Sequence, residues 1–392
     1  MSPFRHATPL LLIALSACSA QSPAMDAANE AMGRTSSAAA PQPVPAAASA
    51  PASAVEPPQS APSEPATPVL GPQPVRAWGT GPSAAPATEE PATEEPTAVA
   101  ASGQPANDAT STTGKAGVLR AQVLLLRAHY SSGEIDGMAG KNLARAVRGF
   151  QLAQGLDGSG TLDAATWEAL NRDTAPVLVE YTLTAADVAG PYAPTPETPE
   201  GKASMKRIVY QDIGEMLGER FNSKPALIKA LNPDARMEAG TVLVVPNTQP
   251  ARRLPKAAAL VVDKSDGVLQ LLDGNAKVYA QFPASTGSTR FPLPIGSWKI
   301  TTVVHDPDYR YDPDLLVDQP KDAKPAMLPP GPNGPVGLVW MGIDKPHYGI
   351  HGTPEPGDIR RDQSSGCVRL TNFAAQAVAD AVAVGTPVRF QE

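Results

Sequence analysis

The sequence has almost no cysteine: two in 392 residues, Cys18 and Cys367. Exported proteins use cysteine mostly in disulfide pairs, so a chain this poor in it has no disulfide framework to rest on. Positive charge is also short. Thirty-two Lys and Arg stand against 39 Asp and Glu, and a net charge of −7 leaves no basic footprint for nucleic acid. Aromatics are only 5 %. Long apolar runs are missing as well. The N-terminal run from Leu10 to Leu15 is too short to span a bilayer as a helix. Proline, by contrast, is plentiful at 44 residues and unevenly spread, which divides the chain into a tail and a folded part.

The N-terminus, MSPFRHATPLLLIALSACSAQ, begins with Arg5, continues with the apolar run and reaches small residues before Cys18. This order reads as an export signal. Leu15–Cys18, LSAC, resembles the lipobox of bacterial lipoproteins. That resemblance implies a signal peptide over residues 1–17, lipid on Cys18 and, with Ser19 following, an outer-membrane anchor facing the periplasm. The competing reading is a plain signal cleaved near Ala20. In either case Cys367 is left with no partner in the mature chain, and a lone thiol in an oxidising compartment is a liability unless it has work to do. Residues 18–113 are dominated by Ala, Pro, Ser, Thr and Glu, with a short echo PATEEPATEEPT over Pro86–Thr97. No apolar period runs through them, so the expectation is a disordered tether or a linker without a length requirement.

Order is expected from Gly114. Over 114–173, Val118, Ala121, Val123, Leu124 and Leu126 mark one amphipathic helix, and Leu143, Ala146, Val147, Phe150 and Leu152 a second. Asp163 precedes a third, AATWEAL, as a cap. The run Ile135-Asp136-Gly137, Gly140, Ala146-Val147, Phe150-Gln151, Gly155, Gly160, Thr166-Trp167 and Leu170 resembles the peptidoglycan-binding three-helix domain. The residues themselves explain packing and turns, so ligand contact is implied by the resemblance only, and a purely structural helical domain reads the same way. Over 177–248 the pattern is a strand, a Pro- and Thr-rich insertion from Pro191 to Pro199, two short helices and a closing strand. Asn232, Met237, Gly240, Leu243 and Pro246 resemble the end of a LysM module, an α+β unit that binds glycan.

From 256 to 392 the texture changes to alternation and β-branched residues. AALVVD, GVLQLLD, AKVYAQFPAS, GSWKITTVV, GLVWMGI and HYGIHG read as short strands, NFAAQAVADAV as one helix and TPVRF as a last strand. A mainly-β domain is expected, a sandwich or a barrel-like sheet. The whole is therefore a multidomain chain. His305–Met327, long and proline-broken, reads as a lid or as a variable surface loop.

The chemistry concentrates in HGTPEPGDIRRDQSSGCVRL, His351–Leu370. A nucleophilic thiol needs a base, donors for an oxyanion and something to orient the base. Gly366 before Cys367 allows a sharp turn that exposes N–H groups. His351 ends a strand from which it can reach a neighbouring one. Arg369 shares a face with Cys367 if the stretch is extended, and its guanidinium suits a carboxylate. The competing readings are a buried apolar cysteine and a structural histidine. His347 and His351 are four apart and would share a strand face, but no HExxH glutamate and no third ligand accompany them, so no metal is expected.

The stretch resembles the active-site signature of the L,D-transpeptidases with a YkuD-type catalytic domain: His-Gly, a spacer, then Ser/Thr-His-Gly-Cys-x-Arg. Fifteen residues separate His351 from Cys367, and Ser364, Gly366, Cys367 and Arg369 stand where the signature has them. Ser365 departs from it, replacing a histidine. FPLPIGSWKI and MLPPGPNGPVGLVWMGI resemble further family segments. The resemblance implies a β-sandwich catalytic domain without cofactor. It implies Cys367 as nucleophile and His351 as base. Gly366, Gly352, Ser364, Ser365, Arg369 and Tyr348 would surround the oxyanion and substrate, with His347 and Trp340 as wall residues, a place in the β core being the alternative for Trp340. The implied substrate is peptidoglycan, its stem tetrapeptides losing D-Ala to form 3–3 cross-links. An envelope-protein amine or water could replace the acceptor, and a wall-binding lipoprotein without catalysis is the reading of another class.

Overall fold

The computed structural model describes residues 112–249, 253–287, 291–315, 323–360 and 366–392. The segments expected to be a signal peptide and, up to residue 111, a tether lie outside the described residues, as do Cys18, Ser364 and Ser365. All described residues fall within one compact unit.

The first helices are α1 (Gly114–Arg127), α2 (Lys141–Ala153) and α3 (Ala164–Leu170). In α2 the residues at helical spacing, Leu143, Ala146, Val147 and Phe150, are buried against Leu124, Leu125, Trp167 and Leu170. Asp163 caps α3, its carboxylate accepting from the Thr166 N–H at 2.8 Å. Gln151 is fully buried and fully used. Its Nε2 donates to Ser159 Oγ, the Thr161 carbonyl and Thr166 Oγ1, and its Oε1 accepts from the Gly160 N–H. The amide thus pins the turn between α2 and α3.

Next come β1 (Leu178–Thr182), α4 (Ala185–Ala189), α5 (Pro199–Ala203), α6 (Ile213–Arg220), α7 (Pro225–Leu231) and β2 (Val242–Pro246). The two strands pair antiparallel from Leu178↔Pro246 to Thr182↔Val242. The helices α6 and α7 cover one side of this ribbon through Met216, Leu217, Phe221 and Ile228. Two short helices flank the proline-rich insertion, α4 before it and α5 starting at its last residue, Pro199.

The remaining strands are β3 (Ala259–Asp263), β4 (Val268–Leu272), β5 (Val278–Pro283), β6 (Gly296–His305), β7 (Tyr309–Tyr311), β8 (Ala326–Leu328), β9 (Val339–Ile343), β10 (Gly349–His351) and β11 (Val368–Arg369). They are followed by α8 (Asn372–Ala381) and β12 (Pro387–Gln391). Among the described residues, eight strands make one sheet in the order β11-β10-β9-β6-β12-β3-β4-β5. Alternate residues such as Leu260, Val262, Leu269, Leu271, Val388 and Phe390 point to a common core, which α8 enters with Ala374, Ala377 and Val378. Burying each large side chain there contributes roughly 1.5–3 kcal/mol.

Of the two expected forms, a sandwich and a barrel-like sheet, the structure has the second. The sheet is continuous and curls until its edges meet, Ser285 beyond β5 forming an antiparallel bridge with Arg369 of β11. Closing the edges in this way satisfies backbone groups that a flat sheet would leave open. The stretch His305–Met327 is also more regular than a loop, since β7 and β8 pair as a small hairpin, Tyr309↔Leu328 to Tyr311↔Ala326.

The three parts are docked. Tyr130 donates to the Val278 carbonyl at 3.0 Å, and the backbones of His129 and Ser131 bond both sides of Gln281 on β5. Ile135 and Lys224 exchange backbone bonds with Asn222 and Ile135, and Lys224 pairs with Asp136 at 2.9 Å.

Candidate active site

Three neighbouring strands build the site. β10 runs antiparallel to β9, with His351 opposite Trp340, and parallel to β11, with Ile350 opposite Val368 and His351 opposite Arg369. Ile350 and Val368 are completely buried in the core. Side chains alternate across a sheet, so His351, Arg369 and, one residue before β11, Cys367 all project to the other face. That juxtaposition is what sequence spacing alone could not establish.

Gly366 holds a φ of +107, a region an L side chain rarely adopts, and a Cβ there would come within 2.8 Å of the Tyr348 ring. The turn into Cys367 therefore requires glycine. The Cys367 thiol donates to the His347 carbonyl across 3.7 Å. Burial pushes this thiol up to about 11, against the opposing pull of the Gly349 N–H and the Arg369 charge, both of which favour thiolate.

His351 is buried, and its Nδ1 lies 2.6 Å from the Gly352 carbonyl oxygen. A carbonyl only accepts, so Nδ1 carries the proton and Nε2 keeps the lone pair of a base. Burial drives the imidazole down to about 4; the Gly352 carbonyl resists and the Arg369 charge reinforces. The Trp340 indole stacks on the ring, with centroids 5.6 Å apart and planes 21° apart. Burial thus favours the neutral thiol and the neutral imidazole over their charged forms.

The remaining sequence candidates sort themselves. Tyr348 packs beside Gly366 and is half-buried. Gly352 supplies the acceptor for His351. Arg369 stands in register with His351. The expectation that His347 and His351 share a strand face is corrected: His347 is exposed in a left-handed turn with φ 70, and β10 begins only at Gly349.

Tyr309 went unnamed in the sequence. Its hydroxyl is pushed up to about 12 by burial first and, second, by the negative charge Cys367 would carry as a thiolate. The only sequence signal was its place in the long segment read as a lid or loop. That hairpin is braced by Ile208 packed on Tyr311 and Leu328, with Ala203 and Met205 against them.

Two parts of the chain are similar to known proteins. The L,D-transpeptidase catalytic domain family, YkuD, matches residues 257–389, and the family described as "Putative peptidoglycan binding domain" matches residues 114–170. "Putative L,D-transpeptidase YkuD" of Bacillus subtilis is 28% identical over 168 residues, 42% of this chain and 85% of that protein. "Putative L,D-transpeptidase in ATP synthase subunits region ORF 5" of Fuscovulum blasticum is 30% identical over 130 residues, 33% of this chain and 67% of that protein. A solved L,D-transpeptidase from Xylanimonas cellulosilytica aligns at 17% identity over 70% of this chain and 92% of that one, with a TM-score of 0.32, too low to carry an argument.

Proposed function

We propose that this chain, which belongs to the L,D-transpeptidase family, acts on peptidoglycan stem peptides through a thioester on Cys367. The observation that carries the reading is the strand register that puts Cys367, His351 and Arg369 on one face. The imidazole tautomer supports it, because Nε2 is left as the acceptor.

In this reading His351 Nε2 takes the thiol proton as Cys367 Sγ attacks the carbonyl carbon of the third stem residue. Backbone N–H groups beside Gly366 and Cys367 hold the tetrahedral oxyanion. Collapse breaks the bond to D-Ala, whose amine leaves with the proton from His351. The side-chain amine of a second stem then attacks the thioester, gives its proton to His351 and frees the thiol, leaving a 3–3 cross-link. Arg369 pairs with a donor carboxylate. Tyr348, packed beside Gly366, would wall the substrate site.

The accessory parts fit the same substrate. The helices over 114–170 would bind wall polymer, and the β1–α6–α7–β2 arrangement would act as a LysM-like glycan reader with an insertion. Export and lipidation at Cys18, with the tether spanning from an outer-membrane anchor to the wall, complete the reading. Ser364 and Ser365 would line the turn before Gly366.

The test is to incubate the full chain with disaccharide-tetrapeptide and follow products by mass spectrometry beside Cys367→Ala. A cross-linked dimer with loss of D-Ala, absent in the variant, supports transpeptidation. Tripeptide alone points to water or to a missing protein amine as acceptor. No turnover by the intact chain favours a wall-binding protein and removes the proposal.

A further inference from the structure

The Gly352 carbonyl sets the tautomer of His351, so whatever fixes Gly352 sets the base. Asn372, in the first turn of α8, is 1% exposed and lies directly against that residue. A Cβ at Gly352 would come within 2.2 Å of Asn372 Oδ1, and one at Gly337 within 1.9 Å, so glycine at both positions is what admits the amide. Asn372 Oδ1 accepts from the Leu338 N–H at 3.0 Å, and its Nδ2 donates to the Pro332 carbonyl at 3.1 Å. The Gly352 N–H in turn donates to the Val339 carbonyl at 3.2 Å. The end of β10, the start of β9 and the first turn of α8 thus form one corner around this amide.

The corner is completed from a different part of the chain. Asn372 Nδ2 also donates to both carboxylate oxygens of Glu219 on α6, at 2.8 and 3.1 Å. Tyr210 donates to the same carboxylate at 3.2 Å. Nearby, Asn333 Nδ2 donates to Glu215 of α6 and to the Val209 carbonyl, and the Ile208 backbone bonds Pro330 and Asn333. The 329–337 loop and Asn372 are therefore both held by the segment between β1 and β2. A carboxyl group buried at such a junction is costly whether or not it is ionised, and apolar packing would serve stability alone as well or better. Its oxygens instead accept from the amide that braces the acceptor of the base.

We propose that Glu219 and Asn372 are positioning residues for His351: the accessory segment holds the base in its working tautomer through the Glu219–Asn372–Gly352 contacts. The proposal rests on His351 being the base of the reaction proposed above. It makes the accessory segment part of the catalytic apparatus in addition to any hold it has on the wall.

The test uses the full chain with Glu219→Gln, Glu219→Ala, Asn372→Asp, Lys224→Ala and His351→Ala. Two quantities are read: D-Ala release from disaccharide-tetrapeptide, and the His351 tautomer by imidazole nitrogen NMR. Glu219→Ala and Asn372→Asp lower kcat on the order of 10–100-fold, the size a misplaced group produces, with KM nearly unchanged and a second tautomer appearing. Glu219→Gln keeps an acceptor for Asn372 and retains most of the rate. Lys224→Ala opens the neighbouring Lys224–Asp136 pair and leaves the His351 tautomer unchanged. Unchanged kcat and tautomer in Asn372→Asp and Glu219→Ala overturn the proposal, as does an equal appearance of the second tautomer in Lys224→Ala, which would mark the seam as mere glue. Should Glu219→Ala not fold, Asn372→Asp and Glu219→Gln decide it by NMR. If His351→Ala releases D-Ala at the full rate, the base assignment fails, and the tautomer readout still judges the brace separately.

Discussion

Cys367 and His351 are kept neutral by the same physical cause, burial, and this makes their pH behaviour specific. His351 sits near 4 in the folded chain against an ordinary value of 6.5. The folded state then binds fewer protons than the unfolded one between those values, so stability rises with pH through that window. The contribution is complete above 6.5 and lost as pH falls toward 4. From pH 4.5 to 7 the urea midpoint of His351→Gln is expected to rise less, or fall more, than that of the unaltered chain, because Glu219 titrates in the opposite sense over the same window; equal changes would contradict the burial of a neutral imidazole. His351→Ala is expected to slow D-Ala release by roughly 10²–10⁴-fold. Arg369→Lys, measured in the same assay, is expected to cost on the order of tenfold, because a point charge does not reproduce a planar fork. Most of this site was legible in the sequence because His351, Gly366, Cys367 and Arg369 are carried by one short signature. Tyr309, Asn372 and Glu219 were not. Each comes to the site by packing between distant segments, and no local pattern distinguishes Glu219 from any solvated charge on an amphipathic helix.

At the scale of elements, the helices and the longer strands follow from their apolar periods. The β7–β8 hairpin does not, since three-residue strands separated by polar sequence show no period. Nor does the single curled sheet, because the bridge that closes it, Ser285 to Arg369, joins residues far apart in the chain. Phe282 of β5 is fully buried in that sheet's core, and Phe282→Ala is expected to cost ~3–5 kcal/mol in urea unfolding. The junction of α6 with α8 carries its own titration. Burial first, and Glu215 and Glu134 next, push Glu219 up to about 8, against the hydrogen bonds of Asn372 and Tyr210. A carboxyl raised in this way binds more protons folded than unfolded, so it lowers stability as pH rises from about 4.5 to 8. Glu219→Gln is expected to remove that slope in thermal melts taken across the window, and an unchanged slope would contradict it.

For the whole molecule, the docking of three parts matters more than their separate identities. The helices over 114–170 cover the outer strand β5, and the β1–β2 segment reaches the corner behind His351. A wall strand held by the accessory parts would therefore meet the thiol in a fixed relation, without a search by a flexible linker. Cys367→Ala is expected to leave binding to isolated sacculi intact while abolishing product, which co-sedimentation and product analysis would separate. The central claim is a covalent bond to one sulfur, and it is tested most directly by mass. The full chain would be quenched in acid during turnover of disaccharide-tetrapeptide, digested and analysed by mass spectrometry. The account predicts the disaccharide-tripeptide acyl group on the peptide containing Cys367, and none on Cys367→Ala. An unmodified Cys367 peptide during active turnover, or the acyl group on another residue, would contradict it.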